Sequence, residues 1–254
     1  MSEVRYAPRG AIPDLGEVWQ PVGPSRTIVT AHLVRVRDVA SLVPAEIEIV
    51  RVLPGMTLAS TLLSYYGPDS TLEYNELVIA PALTRMGGAR GVWVSHIWVD
   101  SAKSIVGGRR MGLPKQLAHF AWEEAGGRGH CTVSEPDGRP IADVTYHAPF
   151  LSVPLALRGA TLSALDDGTV VHFGSVVRGR WGFAGARISL PHASAATAIP
   201  LGRAVISLAS GPMHGEMGLD LRAVGRVAPR AEPLHDITRG AAPLSGPKIP
   251  TRAP

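Results

Sequence analysis

The sequence predicts an α+β protein that consists mainly of antiparallel β-strands with a few short helices. Runs rich in Val, Ile, Leu, Tyr and Trp recur along the chain, separated by Pro and Gly turns, which is typical of strands. These runs do not alternate with long helical segments, as repeated βαβ units would require. With 254 residues and 45% hydrophobic content, the chain is long enough to bury a sizeable core.

In chain order, the first 26 residues are rich in Pro and Gly and predict an irregular arm. Asp38 is expected to cap a short helix that Pro44 ends, and Asp100 or Ser101 a second helix over 100–108 that Gly107 ends. A hairpin turn is expected at 136–139. Strands are expected at 27–36, 46–53, 57–66, 72–80, 91–99, 116–124, 130–135, 140–148, 169–177, 182–190, 203–209 and 219–227.

The chain is predicted to form a single domain over residues 1–254. No break between residues 27 and 228 indicates a domain boundary, and no internal repeat is found. The last segment, from about residue 240 to 254, is low in large apolar residues, so we expect it to be disordered or draped on the surface.

The composition excludes several classes of protein. Cys131 is the only cysteine, which leaves no intrachain disulfide or cysteine-based zinc site and indicates a reducing, cytoplasmic compartment. No stretch approaches the roughly 18 apolar residues of a membrane span, and the N-terminus has no apolar signal region. The net charge of +4 is scattered, which argues against nucleic acid and suits a small anionic substrate.

Lysine is scarce in this chain, and one lysine lies in apolar surroundings. Only three of the 25 basic residues are lysines: Lys103, Lys115 and Lys248. Lys115 follows Pro114 in an apolar segment, and burial disfavours the charged form of an amine, so a buried lysine becomes a nucleophile towards carbonyl carbon. Taken alone, a lysine that extends from a strand end to solvent is the commoner case.

Three segments resemble the acetoacetate decarboxylase superfamily. GRRMGLPKQLAHF, ending at Phe120, resembles its Schiff-base lysine motif, and YNELVIAPAL at 74–83 resembles the strand that carries its catalytic glutamate. GVWVSHIWVDSAKSIVGGRR at 91–110 resembles the strand and helix before the lysine motif. The resemblance covers about residues 30–122 and implies a cone-like or barrel-like antiparallel sheet.

The resemblance implies that Lys115 forms the Schiff base and that Glu76 acts beside it as acid and base. No metal, nicotinamide or pyridoxal cofactor is then needed. The alternative for Glu76 is an outward position on a half-exposed strand, since Leu77 and Ile79 form the more apolar face. A carboxylate inside a pocket would instead suit proton transfer near neutral pH.

The chain departs from acetoacetate decarboxylases at two pocket positions. Their active lysine is followed by a second lysine where this chain has Gln116, and their second pocket glutamate aligns near Thr61. The Gln116 amide could hydrogen-bond a substrate oxygen. Family branches without the second lysine resemble aldolase-dehydratases or cyclases that act on 2-oxo acids.

A substrate carboxylate needs a cation, and arginine binds carboxylates in a bidentate manner. Arg109 lies in the lysine motif, and Arg26 lies near the position of a pocket arginine in the family; both could equally be surface charges. A lone His214-x-Glu216 pair could begin a metal site, but a structural histidine is the more frequent case. A homo-oligomer is expected.

Three functions remain open. The leading hypothesis is a Schiff-base lyase that performs aldol, dehydratase or cyclase chemistry on a small oxo acid, in specialised metabolism. The first alternative is decarboxylation of a β-oxo acid such as acetoacetate. The second is a non-catalytic protein of the same fold that binds a small molecule, against which the presence of both Lys115 and Glu76 argues.

Overall fold

The computed structural model describes residues 4–191, 194, 196 and 199–229. Strands dominate this part of the chain, and its α-helices are two short segments. The predicted class, α+β with mainly β structure, is confirmed. The tail expected from about residue 240 lies outside the described residues.

Two sheets contain all the strands of the described residues. The larger sheet has twelve strands: β1 (Val22–Gly23), β2 (Arg26–Arg35), β3 (Glu48–Ile49), β4 (Met56–Tyr66), β5 (Tyr74–Ala80), β6 (Ala82–Met86), β7 (Ala89–Trp93), β8 (His96–Val99), β9 (Lys115–Leu117), β13 (Phe150–Ala164), β14 (Thr169–Phe183) and β16 (Ile206–Arg226). The smaller sheet has four: β10 (His119–Ala125), β11 (Arg128–Ser134), β12 (Pro140–His147) and β15 (Arg187–Ser189).

The larger sheet is mixed. Its hydrogen-bonded order is β3-β6-β7-β13-β14-β16-β2-β4-β5-β8-β9, and β1 pairs with β16. Among the described pairings, β7 with β13 and β8 with β9 are parallel, and the others are antiparallel. The parallel pair of β8 and β9 requires a crossover, which a helix between the two strands supplies.

The helices begin and end differently from the prediction. Helix α1 (Val36–Val39) continues into a 3-10 turn and has Arg35 as its N-cap, so Asp38 lies in the first turn and does not cap. Ser101 caps α2 (Ala102–Arg110) by accepting the N–H of Ser104. Gly107 does not end α2; its Cβ would lie 2.8 Å from the Trp19 ring, so a close approach explains the glycine.

Several predicted strand boundaries are wrong. The run at 91–99 is split between β7 and β8, whereas the runs at 203–209 and 219–227 belong to one strand, β16, which continues through register shifts opposite β14. Strand β13 was not predicted, because Pro154 and Gly159 lie inside it. Part of the irregular arm pairs with the sheet, through β1 and through a bridge between Trp19 and Met217.

Two hydrophobic clusters lie on opposite faces of β5 and β8. The first contains Leu77 and Trp98 and includes residues of both sheets. The second contains Tyr74 and Val99, together with Ile105 of α2. Side chains alternate along a strand, so every second residue of β5 and β8 faces the second cluster, beneath α2 and the N-terminal arm. No helix in the described part of the chain is long and apolar enough to cross a membrane.

The unpredicted strand β13 gives a test of where the core lies. Leu162 is fully buried, whereas Leu155 in the same strand is 45% exposed. Leu162→Ala should lower the free energy of unfolding by about 2–5 kcal/mol, because it leaves a cavity. Leu155→Ala, the matched control, should change it by about 0.5 kcal/mol or less. Urea unfolding followed by circular dichroism measures both, and equal losses would contradict the placement of β13.

Candidate active site

Lys115 is the first residue of β9, and its backbone position turns the side chain inward. It pairs in parallel with Ile97 of β8, so both side chains lie on the face that α2 covers. The loop after α2 is folded by the N–H groups of Met111 and Leu113, which both donate to the carbonyl of Gly108. The Lys115 side chain is 2% exposed.

Gly108 provides the space for the lysine stem. A Cβ on Gly108 would lie 2.5 Å from Cδ and 2.7 Å from Cε of Lys115, closer than real atoms approach. The glycine pair that interrupts the helical pattern at 107–108 therefore serves packing: Gly107 admits the ring of Trp19, and Gly108 admits the stem of Lys115.

The amine of Lys115 has two polar partners at short range. Its Nζ lies 2.8 Å from Oε1 of Glu76 and donates to Oγ of Ser104 at 2.8 Å. The hydroxyl of Tyr74 is a third, weaker acceptor at 3.5 Å. The centroids of the Trp19 and Tyr74 rings each lie 4.9 Å from Nζ. A cation over these ring faces is stabilised by their electron density.

Glu76 is buried, with 5% of the residue exposed, so it does not take the outward position left open by the sequence. Strand alternation directs it, with Tyr74, towards the second cluster, while Leu77 faces the first. Both carboxylate oxygens have partners: Oε1 pairs with Lys115, and Oε2 accepts a hydrogen bond from the hydroxyl of Tyr66 at 2.9 Å.

The two tyrosines of the pocket remain neutral phenols. Burial raises the pKa of Tyr66 well above its ordinary value, and the charge of Glu76 adds to this effect. The pKa of Tyr74 is raised for the same two reasons in the same order, with a further contribution from Tyr66. Both hydroxyls therefore keep their protons at neutral and moderately alkaline pH, and Tyr66 stays a donor to the carboxylate.

The structure brings Lys115 and Glu76 together but separates Arg26 from them. Thr27 shares a sheet face with Glu76, so Arg26, the preceding residue, points to the opposite face. There Arg26 pairs with Glu124 and lies over the Trp122 ring. The expected contact of Arg26 with a substrate beside Lys115 is therefore not supported by its position.

Gln116 and Thr61 also face away from the pocket. Gln116 is exposed, and as the neighbour of Lys115 in β9 it points to the opposite face, beside Trp98. Thr61 pairs with Ile79 on the face of the first cluster, where its hydroxyl lies 2.6 Å from that of Thr30. The predicted hydrogen bond from Gln116 to a substrate oxygen does not fit this direction.

Arg109, unlike Arg26 and Gln116, lies on the helix that covers the pocket. It is half-buried in the last turn of α2, directly after Gly108, which packs against the Lys115 stem. Among the three residues predicted to bind the substrate, Arg26, Arg109 and Gln116, it is the one that lies on the helix covering the pocket.

Four pocket residues were missed from the sequence: Trp19, Tyr66, Tyr74 and Ser104. They come from the arm, β4, β5 and α2, so no single segment displays them together. A signal existed for Ser104, which follows the predicted N-cap by three residues, and for Tyr74, which shares a strand face with Glu76. Trp19 lies in an irregular segment, where no periodicity indicates the direction of a side chain.

Other candidate sites are explained by structural contacts. Glu216 of the predicted His214-x-Glu216 pair accepts a hydrogen bond from Tyr6 at 2.7 Å and pairs with Arg178. No group of three or more potential metal ligands is found in the described residues. A cleft of about 980 Å³ lies between the smaller sheet and the start of β16, and neither Lys115 nor Glu76 lines it. The buried ion pair, not this cleft, carries the groups suited to covalent chemistry.

Comparisons with known proteins identify the family of this chain. The sequence model of the family described as acetoacetate decarboxylase (ADC) matches residues 4–163. No curated protein matches the chain by sequence. The chain belongs to the acetoacetate decarboxylase family, which supports an enzyme of this type.

Solved structures share the fold at low sequence identity. Acetoacetate decarboxylase from Legionella pneumophila superposes with a TM-score of 0.62 at 15% identity, over 84% of this chain and 88% of that chain. A second acetoacetate decarboxylase structure gives 0.64 at 14% identity, over 86% and 91%. The enduracididine biosynthesis enzyme MppR complexed with pyruvate gives 0.57 at 15% identity, over 82% and 90%.

Because the ion pair is buried, single and double substitutions should lower the free energy of unfolding by different amounts. Lys115→Met leaves the Glu76 carboxylate buried without its cation, which should lower the free energy of unfolding by about 3–5 kcal/mol. Adding Glu76→Gln removes the stranded charge, so the double variant should recover most of that loss. Urea unfolding at pH 7 measures the set. A double variant less stable than Lys115→Met would show that the two groups are not coupled.

Proposed function

We propose that the protein is a Schiff-base lyase that acts on a small oxo acid through Lys115. The observation that carries this proposal is the geometry of one amine: it is 98% buried and lies 2.8 Å from a buried carboxylate. An amine held in this way has both a proton acceptor within reach and apolar surroundings, the two conditions that activate a lysine nucleophile.

The first step forms the covalent bond. The ammonium of Lys115 transfers a proton to Glu76, and the neutral amine adds to the substrate carbonyl to give a carbinolamine. Loss of the carbinolamine oxygen as water, with a proton returned from Glu76, gives the iminium. The charge of the pair is the same before and after this sequence, one cation beside one carboxylate.

The second step uses the iminium to accept electrons. Glu76 removes a proton from the carbon next to the iminium carbon, and the electron pair of that C–H bond forms an enamine. The enamine then attacks a second carbonyl or expels a leaving group, which is aldol or dehydration chemistry. Tyr66 donates to the far oxygen of Glu76 and so fixes the orientation of the carboxylate.

Ser104 positions the amine. Its hydroxyl accepts from Nζ of Lys115 and lies at the first turn of α2, a rigid element capped by Ser101. We propose Arg109 as the cation for the substrate carboxylate, because it lies on the same helix. A carboxylate of the substrate would find in arginine a donor of two parallel hydrogen bonds.

Fewer residues distinguish aldol chemistry from decarboxylation than the sequence indicates. Gln116, which replaces the second lysine of the decarboxylases, faces away from Lys115 and so adds little to the amine's surroundings. The pyruvate complex of MppR, a protein of the same fold, favours an oxo acid that forms an enamine. Decarboxylation of a β-oxo acid is the second candidate, since a dry pocket also favours the loss of a substrate carboxylate.

Covalent trapping tests the proposal directly. Sodium borohydride should reduce the iminium formed with pyruvate or acetoacetate, and digestion followed by mass spectrometry should find the adduct on Lys115. Lys103 contacts the carbonyl of Gly10 at the surface and provides the internal control. An adduct confined to Lys103 or Lys248, or none with a broad panel of oxo acids, would leave the fold as a binding protein without this chemistry.

Deuterium exchange distinguishes the two reactions. In deuterated buffer, proton NMR should show loss of the pyruvate methyl signal, because an enamine exchanges those protons. Glu76→Gln should slow this exchange by about 10²–10⁴, the usual contribution of a general base, and Lys115→Ala should abolish it.

The rate of carbon dioxide release from acetoacetate tests the alternative reaction, decarboxylation. Carbon dioxide release from acetoacetate should be slow relative to pyruvate exchange if aldol chemistry is the function. Rapid release without any pyruvate exchange would assign the protein to the decarboxylases. The predicted homo-oligomer stays a prediction, which light scattering coupled to gel filtration measures.

A further inference from the structure

Trp19 places a hydrogen-bond donor in the pocket that the protein itself does not use. The residue is 4% exposed, and its Nε1–H has no hydrogen-bond acceptor within the described residues. A buried donor without a partner costs roughly 1–3 kcal/mol, and most buried polar groups in folded proteins avoid this cost. An unpaired indole N–H inside a reactive pocket therefore suggests a partner that arrives with the substrate.

The ring lies against the reactive amine. Its centroid is 4.9 Å from Nζ of Lys115, and it meets Tyr74 edge to face at 6.4 Å. The carbon Cζ2, which is on the same edge of the indole as Nε1, faces Gly107 of α2 at the distance where a Cβ would clash. The six-membered ring of the indole, through Cζ2 and Cη2, thus packs against the helix that carries Ser104, the amine's partner.

The arm holds this ring in a fixed place. Trp19 and Met217 of β16 exchange two backbone hydrogen bonds, both 2.9 Å long. The two ends of α2 also bind the arm: Lys103 donates to the carbonyl of Gly10 at 2.8 Å, and Arg110 donates to the carbonyl of Pro13 at 3.1 Å. A donor fixed before the substrate binds loses little entropy when the hydrogen bond forms.

We propose that Nε1–H of Trp19 donates a hydrogen bond to the carboxylate of the oxo acid while the substrate is bound to Lys115. This inference rests on the proposed function. Glu76, when ionised, only accepts hydrogen bonds, so it offers no donor to the substrate carboxylate. The indole supplies a buried N–H in addition to the proposed cation, Arg109, and a hydrogen bond to a charged acceptor is stronger than one between neutral groups.

A comparison of pyruvate with acetone tests the role of the donor. Acetone presents the same methyl ketone to Lys115 but has no carboxylate. Trp19→Phe keeps an aromatic ring and removes the N–H, so the pyruvate concentration for half-maximal borohydride trapping should rise by about tenfold or more. The concentration for half-maximal trapping with acetone should stay within about twofold, since no hydrogen bond is lost.

Trp181 offers a matched control. Its indole N–H is also buried and without an acceptor in the described part of the chain, and the residue is 3% exposed, but it lies on β14 beside Ser210 of β16. Trp181→Phe should leave trapping of both ketones unchanged. Loss of pyruvate trapping in this variant as well would indicate a general loss of packing.

A second measurement does not depend on a variant. The chain has five tryptophans, and one indole N–H signal in a nitrogen–proton NMR spectrum of the unmodified protein should move when the reduced pyruvate adduct forms. An adduct that moves no indole signal overturns the proposal.

The outcomes separate this inference from the proposed function. Equal weakening with pyruvate and acetone in Trp19→Phe would reduce Trp19 to a packing role, and unchanged pyruvate trapping would remove it from the site; in both cases the Schiff-base function stands. No adduct in the unmodified protein overturns the function and, with it, this inference.

Discussion

The burial of one ion pair, Lys115 with Glu76, is the constraint on which the pocket depends. Removing two charges from water costs several kcal/mol each, and the attraction between them repays this only when the remaining hydrogen-bonding capacity is also satisfied. The structure meets that condition from three elements: β5 supplies Glu76, β4 supplies Tyr66 for the far carboxylate oxygen, and α2 supplies Ser104 for the amine. Each polar atom of the pair therefore has a partner.

The sheet keeps this polar pocket apart from the main hydrophobic core. Because side chains alternate along β5, Glu76 and Tyr74 face the pocket while Leu77 and Ile79 pack between the two sheets. A shift of one residue in the pairing of β5 would exchange the two sets and bury a carboxylate in the apolar core. The core residues thus fix the register that presents Glu76 to Lys115.

The sequence indicates Lys115 and Glu76 but not the residues that surround them. Lys115 and Glu76 lie in contiguous motifs, so a resemblance over short segments is sufficient to find them. Trp19 reaches the pocket from a segment far away in the chain and Tyr66 from the neighbouring strand β4, and no local pattern relates them to the pair. The family resemblance predicts Arg26 and Gln116 as pocket residues from their positions in the sequence. Each, however, lies on the opposite face of its strand from the pocket. Pro154 is a reason why the sequence does not predict β13, and the tertiary structure forms this strand although it contains a proline.

In the proposed mechanism, the buried pair would also favour the step that follows Schiff-base formation. An iminium on Lys115 carries the same positive charge as the ammonium, so Glu76 stabilises both, and forming the covalent bond leaves the electrostatics of the pocket unchanged. When Glu76 takes a proton from the neighbouring carbon, the iminium becomes a neutral enamine and the carboxylate a neutral acid. Apolar surroundings favour this loss of two charges, because neutral groups need no solvation there. The pocket that makes the ion pair costly thus makes the enamine accessible.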